Sequence, residues 1–241
     1  MSDTNLDSIQ SLKFEDLSFA YPGHDETFSQ INFDFPTNEV VWIEAASGSG
    51  RSTLMQILAG LIMPSSGKYL INDKDISEMS FEEFLPYRLS IGYGFDHGGL
   101  LHNRTMQENL MLPLLYHKIL GYRKAEARVL EYLNLFGMMK FKDSRPAFVS
   151  GSTRKLICLI RALILHPKIL LLDEPTVGLN QETTLKYFDL IQKLRNQGHL
   201  QSIFISTFDD KTMSLLEHKK IFIQQGKILN QNYESIRGVA V

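Results

Sequence analysis

Two segments of this chain carry residues that could do phosphate chemistry. AASGSGRST, 45–53, follows the apolar run VVWIEA and opens a helical pattern. A loop in that position presents unpaired backbone N–H groups at a helix N-terminus, where the helix dipole adds to their attraction for anions. Ser47, Gly48, Ser49, Gly50, Arg51, Ser52 and Thr53 are the candidate ligands. Gly48 and Gly50 would let the backbone wrap phosphates, Ser52 would offer its hydroxyl to Mg²⁺, and Thr53 is placed to hydrogen-bond a phosphate oxygen. The phosphate-loop pattern G-x-x-x-x-G-K-[ST] is met imperfectly. Ala45 stands at its first glycine and Arg51 at its lysine, a planar fork in place of a point charge. Taken alone, the segment is also compatible with an ordinary Gly/Ser loop.

KILLLDEPTVGLN, 168–180, is the second signal. Asp173 falls at the carboxyl end of a buried strand, where open α/β sheets bind ligands. A carboxylate there can hold Mg²⁺. Glu174 beside it can act as general base toward a water attacking a γ-phosphate. The competing reading is an acid pair that caps a helix.

The elements that must position these residues alternate in type. LSFAY and INFDF show strand periodicity, with Leu17, Phe19 and Tyr21 alternating in one and Ile31, Phe33 and Phe35 in the other. Leu54, Ile57, Leu58 and Leu61 recur at helix spacing and stop before Pro64. KYLIND, LSIGYGF, KILLLDEP, SIFIS and KIFIQ read as further strands, and QQGK as a hairpin turn into ILNQ. From about His97 to Ser150 strand signals fade and helical ones such as EARVLEYLNLF take over. Strand–helix alternation implies a parallel sheet covered on both faces. The helical middle, about 97–160, reads as an inserted lobe.

Composition narrows the function classes. With 241 residues and 44% hydrophobic content the chain can build one large α/β unit. A formal net charge of −2 gives no basic field for nucleic acid. The single cysteine, Cys158, excludes an internal disulfide framework and reads as helix packing. No histidine has metal-ligand spacing. The start MSDTNLDSIQ lacks the basic and apolar regions of a secretory signal, and no apolar stretch is long enough to span a bilayer. Contact with a membrane is therefore expected only through a partner.

From about Leu12 to Leu229 the chain resembles the ATPase of an ATP-binding-cassette (ABC) transporter. FAYPG resembles the segment whose aromatic, here Tyr21, stacks on adenine. AASGSGRST resembles the Walker A loop, GFDHGG the loop joining core to lobe, VSGSTRKLICLIRAL the signature and its helix, LLLDEPTVGLN the Walker B segment, and SIFISTFDD the switch strand. The resemblance implies a single domain over 1–241 with a RecA-like P-loop core, an N-terminal antiparallel β subdomain and the helical lobe. It implies ATP and Mg²⁺ as cofactors and Glu174 as the catalytic residue, with Ser52 and Asp173 toward the metal; Asp96 reads either as a metal-facing oxygen in place of the family's glutamine or as a solvated loop acid. It further implies a head-to-tail pair of cassettes, homo- or heterodimeric, in which Ser150 and Gly151 reach the other subunit's nucleotide. The remaining partner is a transmembrane permease subunit that holds the chain on the cytoplasmic face of the cell membrane.

The departures from the family pattern are as informative. Asp96 replaces a glutamine, Phe208 a histidine and Asn180 an aspartate, and Val149, Ser152 and Thr153 alter the signature. Phe208 reads as core packing. Losing one positioned polar group lowers rates by roughly 10²- to 10³-fold. Two outcomes are open: a slow ATPase driving transport, or a non-hydrolysing cassette serving as scaffold or regulatory half. The stretch 97–117 is similar to the same segment in ATPases of MCE-associated lipid-transport systems and of lipoprotein-release exporters, which points to lipid cargo.

Overall fold

The computed structural model describes residues 9–96 and 99–230. Strands β1 (Leu12–Ala20) and β2 (Glu26–Asp34) pair antiparallel. β3 (Val40–Ala45) leads through the phosphate-loop candidate into helix α1 (Arg51–Leu58). β4 (Ser66–Ile71) returns to pair antiparallel with β1, and the two-residue β5 (Lys74–Asp75) completes a four-stranded sheet in the order β2-β1-β4-β5. This is the antiparallel subdomain expected from the sequence.

A six-stranded sheet in the order β10-β9-β3-β8-β7-β6 forms the core. It adds β6 (Ile91–Gly94), β7 (Ile169–Asp173), β8 (Ser202–Ser206), β9 (Lys219–Gln224) and β10 (Lys227–Asn230). All neighbours are parallel except β9 and β10, which form the hairpin foreseen at QQGK. The central strands are buried on both faces, hence their unbroken apolar sequences. Alternate residues feed two cores. Val40 and Trp42 of β3 join Leu170 and Leu172 of β7 on one side, while Val41 and Ile43 join Ile169 and Leu171 on the other. The first core takes in the lobe helices and the second takes in α1 and the antiparallel sheet.

Helix α2 (Phe81–Leu89) precedes β6 and starts with a capping box between Ser80 and Glu83. The lobe holds α3 (Met106–Tyr116) and α4 (Tyr122–Leu135), which pack on each other, and α3 is capped in the same way by Thr105 and Glu108. No strand occurs among the described residues of 99–160. Helix α5 (Gly151–Leu163) lies along β6 and β7 and so belongs partly to the core. Gly92 permits that approach, because a Cβ there would meet the Ala162 carbonyl oxygen at 2.0 Å. Residues 97 and 98, at the start of the expected lobe, lie outside the described residues. Helices α6 (Gln181–Asn196) and α7 (Asp210–Met213) complete the order.

Candidate functional site

The parallel register explains why distant segments meet. Ile43 of β3 and Asp173 of β7 both pair with Ser206 of β8, so the three strands end in one row. The chain leaves that row as the 46–50 loop, as Glu174, and as Thr207 and Phe208. Ligands of open α/β sheets bind at such carboxyl ends.

Two backbone features shape the loop. Gly48 and Gly50 adopt φ +77° and +97°, in the left-handed region that favours glycine. At Gly50 a Cβ would also strike Thr27 Cγ2 at 2.6 Å. Ser49 closes the turn by donating its N–H and Oγ–H to Ala46 O, at 3.2 and 2.6 Å. Gly50 is the N-cap of α1 and no side chain caps the helix, so its first N–H groups face the loop concavity. Ser47, Gly48 and Ser52 are exposed, and Ser49 and Gly50 are half-buried.

Thr53 is placed differently from its expectation. It is buried, and its hydroxyl lies 3.2 Å from the Tyr21 hydroxyl rather than facing the loop concavity. Tyr21 is itself 39% exposed and packs edge-on against Phe19, so a ring face remains accessible beside the loop.

The acidic end of β7 adds the second half of the site. Asp173 is buried. Burial, with the neighbouring Asp173 charge, pushes the Tyr93 hydroxyl well above the usual phenol range. Glu174 sits at φ +44°, a conformation that costs a non-glycine residue about 1 kcal/mol or more, and it is held by Glu174 N–H donating to Ser206 O at 2.8 Å. Its two carboxylate oxygens have separate partners. Thr207 Oγ1 donates to Oε2 at 3.1 Å, and Arg51 Nη2 lies 2.9 Å from Oε1.

Phe208 corrects its expectation outright. It is 59% exposed, not core, and its ring centroid stands 3.5 Å from Arg51 Cζ, a cation–π stack. A ring at a strand end reads as core in sequence. Here the chain has already left β8, and the guanidinium is what the ring covers. Arg51 Nη1 and Glu174 Oε1 are both buried and have no hydrogen-bond partner among the described residues, so the ion pair leaves part of the fork unsatisfied.

Asp96 and the signature form a neighbouring cluster. Lys155, one turn into α5, donates to Phe95 O and Asp96 O at 3.0 Å each and to Asp173 O at 3.1 Å. Asp96 Oδ1 lies 3.5 Å from the same ammonium. Sequence reasoning missed Lys155, although a lysine inside the otherwise apolar face of α5 was a signal. Ser150 caps α5, accepting from Thr153 N–H at 3.2 Å with its Oγ 2.9 Å from Ser152 Oγ. Gly151 borders a 300 Å³ cleft with Asp96, Lys155 and Gly178. Asn180 caps α6 by accepting from Thr183 N–H at 2.8 Å. Cys158 is buried packing, as expected.

The residues present fit a bound Mg²⁺-nucleotide: an uncapped helix N-terminus, two left-handed glycines, an exposed Ser52, and a buried carboxylate at the adjoining strand end. No cluster of three or more His, Cys, Asp or Glu able to hold a metal occurs among the described residues. A cation here would take its remaining oxygens from phosphate and water.

The profile of the ABC transporter family matches residues 28–177, which spans both halves of this site. The chain belongs to the ABC transporter family. It is 36% identical over 203 residues to a methionine import ATP-binding protein MetN of Rhodopseudomonas palustris, covering 83% of this chain and 54% of that protein. A MetN 2 of Acinetobacter baylyi is 31% identical over 223 residues, covering 90% and 64%. The chain thus spans a little over half the length of these relatives. Among solved structures, a dimeric ATP-binding cassette in a post-hydrolysis state, bound to ADP and Pi, superposes with TM-score 0.81 at 26% identity, covering 90% of this chain and 96% of the other. The cbiO1 subunit from Clostridium perfringens, part of the transporter complex cbiONQ, gives TM-score 0.71 at 26% identity, covering 96% and 91%. The RecA-like core and antiparallel subdomain of this ABC cassette are those of the matched structures. No helix among its described residues is long and apolar enough to cross a membrane.

Proposed function

We propose that this cassette binds Mg-ATP on the 45–53 loop and hydrolyses it slowly to drive a transporter. The carrying observation is the convergence of an uncapped α1 N-terminus, Asp173 and Glu174 at one row of strand ends. Tyr21 would stack on the base, Ser52 and Asp173 would hold Mg²⁺, and Glu174 would take a proton from the attacking water. A bound cation supplies charge neutralisation of the phosphates. Phe208 has no donor for the developing γ-phosphoryl charge, which supports a reduced rate. Equilibrium titration of the purified chain with a fluorescent mant-ATP and Mg²⁺ should give saturable binding below millimolar, weakened more than tenfold by Gly50→Val. Absence of saturable binding at millimolar nucleotide would overturn the reading.

A second reading has one observation in its favour. The Arg51–Glu174 contact of 2.9 Å occupies the base, as a non-hydrolysing scaffold or regulatory half would allow.

The partners proposed are a second cassette and a permease, with the chain peripheral on the cytoplasmic membrane face. Support for the permease lies in a 410 Å³ cleft between β6, α3 and α5, whose rim includes Arg88, Phe95, Leu112, Tyr116 and Arg161. Tyr116 is 75% exposed there. Tyr116→Glu should release the chain from membranes, read by fractionation; retention of that variant, with release by changes in β1 and β2 instead, would place docking elsewhere. For cargo, the relatives' names favour methionine import. The lipid cargo expected from 97–117 has no support among them.

A further inference from the structure

Arg51 and Phe208 both depart from the residues that the family resemblance leads one to expect, and they touch. The ring lies 3.5 Å from the guanidinium carbon on one side, while Nη2 lies 2.9 Å from Glu174 Oε1. Thr207, beside Phe208, donates to the other Glu174 oxygen. One carboxylate oxygen is therefore hydrogen-bonded by Thr207, while the other, which has no hydrogen bond, meets the guanidinium as an ion pair only. Side-chain accessibility of Arg51 and Glu174 is only 12% and 13%, so the pair is well shielded from water, although Phe208 itself is largely exposed. The planar guanidinium can turn its face to the ring while an edge nitrogen meets the carboxylate.

We infer that Phe208 is a positioning residue that seats Arg51 on Glu174, so that the carboxylate stays masked until nucleotide phosphates draw the arginine away. The inference rests on the ATP-binding reading and adds a gate to it. The two substitutions then form one device rather than two independent losses. Nucleotide must compete with Glu174 for the fork, which lowers apparent affinity by the fraction of molecules in which the fork is free. Nη1 is buried and makes no hydrogen bond in the seated arrangement, so that donor is satisfied only when the arginine swings out to a phosphate. Phosphate binding and release of the carboxylate are thereby one event.

The test is a binding cycle on the full chain with mant-labelled β,γ-imido ATP, which is not hydrolysed. Phe208→Leu keeps apolar bulk but removes the ring face. It should tighten binding about two- to five-fold, the size of an exposed cation–π contact. Phe208→Tyr should keep the wild-type affinity. Glu174→Gln should tighten binding by about tenfold, since the competing charge is gone. The decisive comparison is the double variant: in Glu174→Gln, Phe208→Leu should change affinity less than 1.5-fold, because no seat is left to disturb. Equal tightening in both backgrounds, or weakening by Phe208→Leu in both, would overturn the proposal while leaving ATP binding in place. Lack of saturable binding by any form at millimolar probe would sink the ATP-binding reading, and the gate with it. Thermal unfolding without nucleotide supplies a readout free of the ligand: Phe208→Leu and Glu174→Gln should be non-additive there also, and strict additivity would refute the seat.

Discussion

Glu174→Gln is expected to lower ATP turnover at least 10²-fold, the range for removing a positioned general base. The side chain keeps its shape but cannot accept the water's proton. Glu174 sits past the last residue of β7, in a left-handed backbone conformation, bonded to Ser206 O through its own N–H. That arrangement aims a carboxylate at the space over the phosphate-loop candidate and would be unnecessary for a capping acid. Phe208→His should recover little of the family's ordinary rate. A histidine there would lose the stack on Arg51, and Asp96 and the signature would remain altered. Phosphate release in single turnover, with wild type and variant in the same transporter complex, is the measurement. Undiminished turnover by Glu174→Gln would mean that a partner cassette does the hydrolysis and this chain is the structural half.

Much of this was legible in the sequence, and for identifiable reasons. Strands buried on both faces are written as unbroken apolar runs, so VVWIEA, KILLLDEP and SIFIS stood out. The glycine pair of the phosphate loop is forced by φ values that other residues resist, and so it survives as a local signal. What stayed hidden depends on pairing between distant segments. Phe208 looks like any ring at a strand end until the β3–β8 register brings it against Arg51. Thr53 carries the right hydroxyl for phosphate, but helix phase turns it toward Tyr21. Helix α2 went unread because Pro86 stands inside it, although Ser80 and Glu83 spelled its capping box. Helix α5, which meets both the core strands and α3, is ambiguous for the same reason. An amphipathic helix tells how it is patterned, and not which of two bodies receives its apolar face.

Lys155→Met should destabilise the protein by about 2–4 kcal/mol, lowering Tm by roughly 5–15 °C. The lysine ties the end of β6 to the end of β7, through Phe95 O and Asp96 O on one side and Asp173 O on the other. Methionine fills similar volume and leaves those three carbonyls, and the Asp96 carboxylate, without the ammonium. The charged form is not at ease there: burial pushes the Lys155 pKa below the ordinary lysine range, and the Asp96 charge only partly offsets it. The sign of the pH dependence follows. A native pKa below the unfolded one means that the unfolded chain holds the extra proton between the two values, so this group's contribution to stability rises as pH climbs through them. The deficit of the methionine variant should therefore be smallest near neutrality and grow in alkali. Lys155→Arg should not rescue, since a planar fork cannot reproduce three convergent bonds from one nitrogen in a buried space. Denaturant unfolding at neutral and alkaline pH reads both claims, and turnover should fall with stability retained at low temperature, as Asp96 and Asp173 lose their shared anchor. An unchanged Tm in Lys155→Met would show that the three carbonyls find water instead, and that the two halves of the site are held together by the sheet alone.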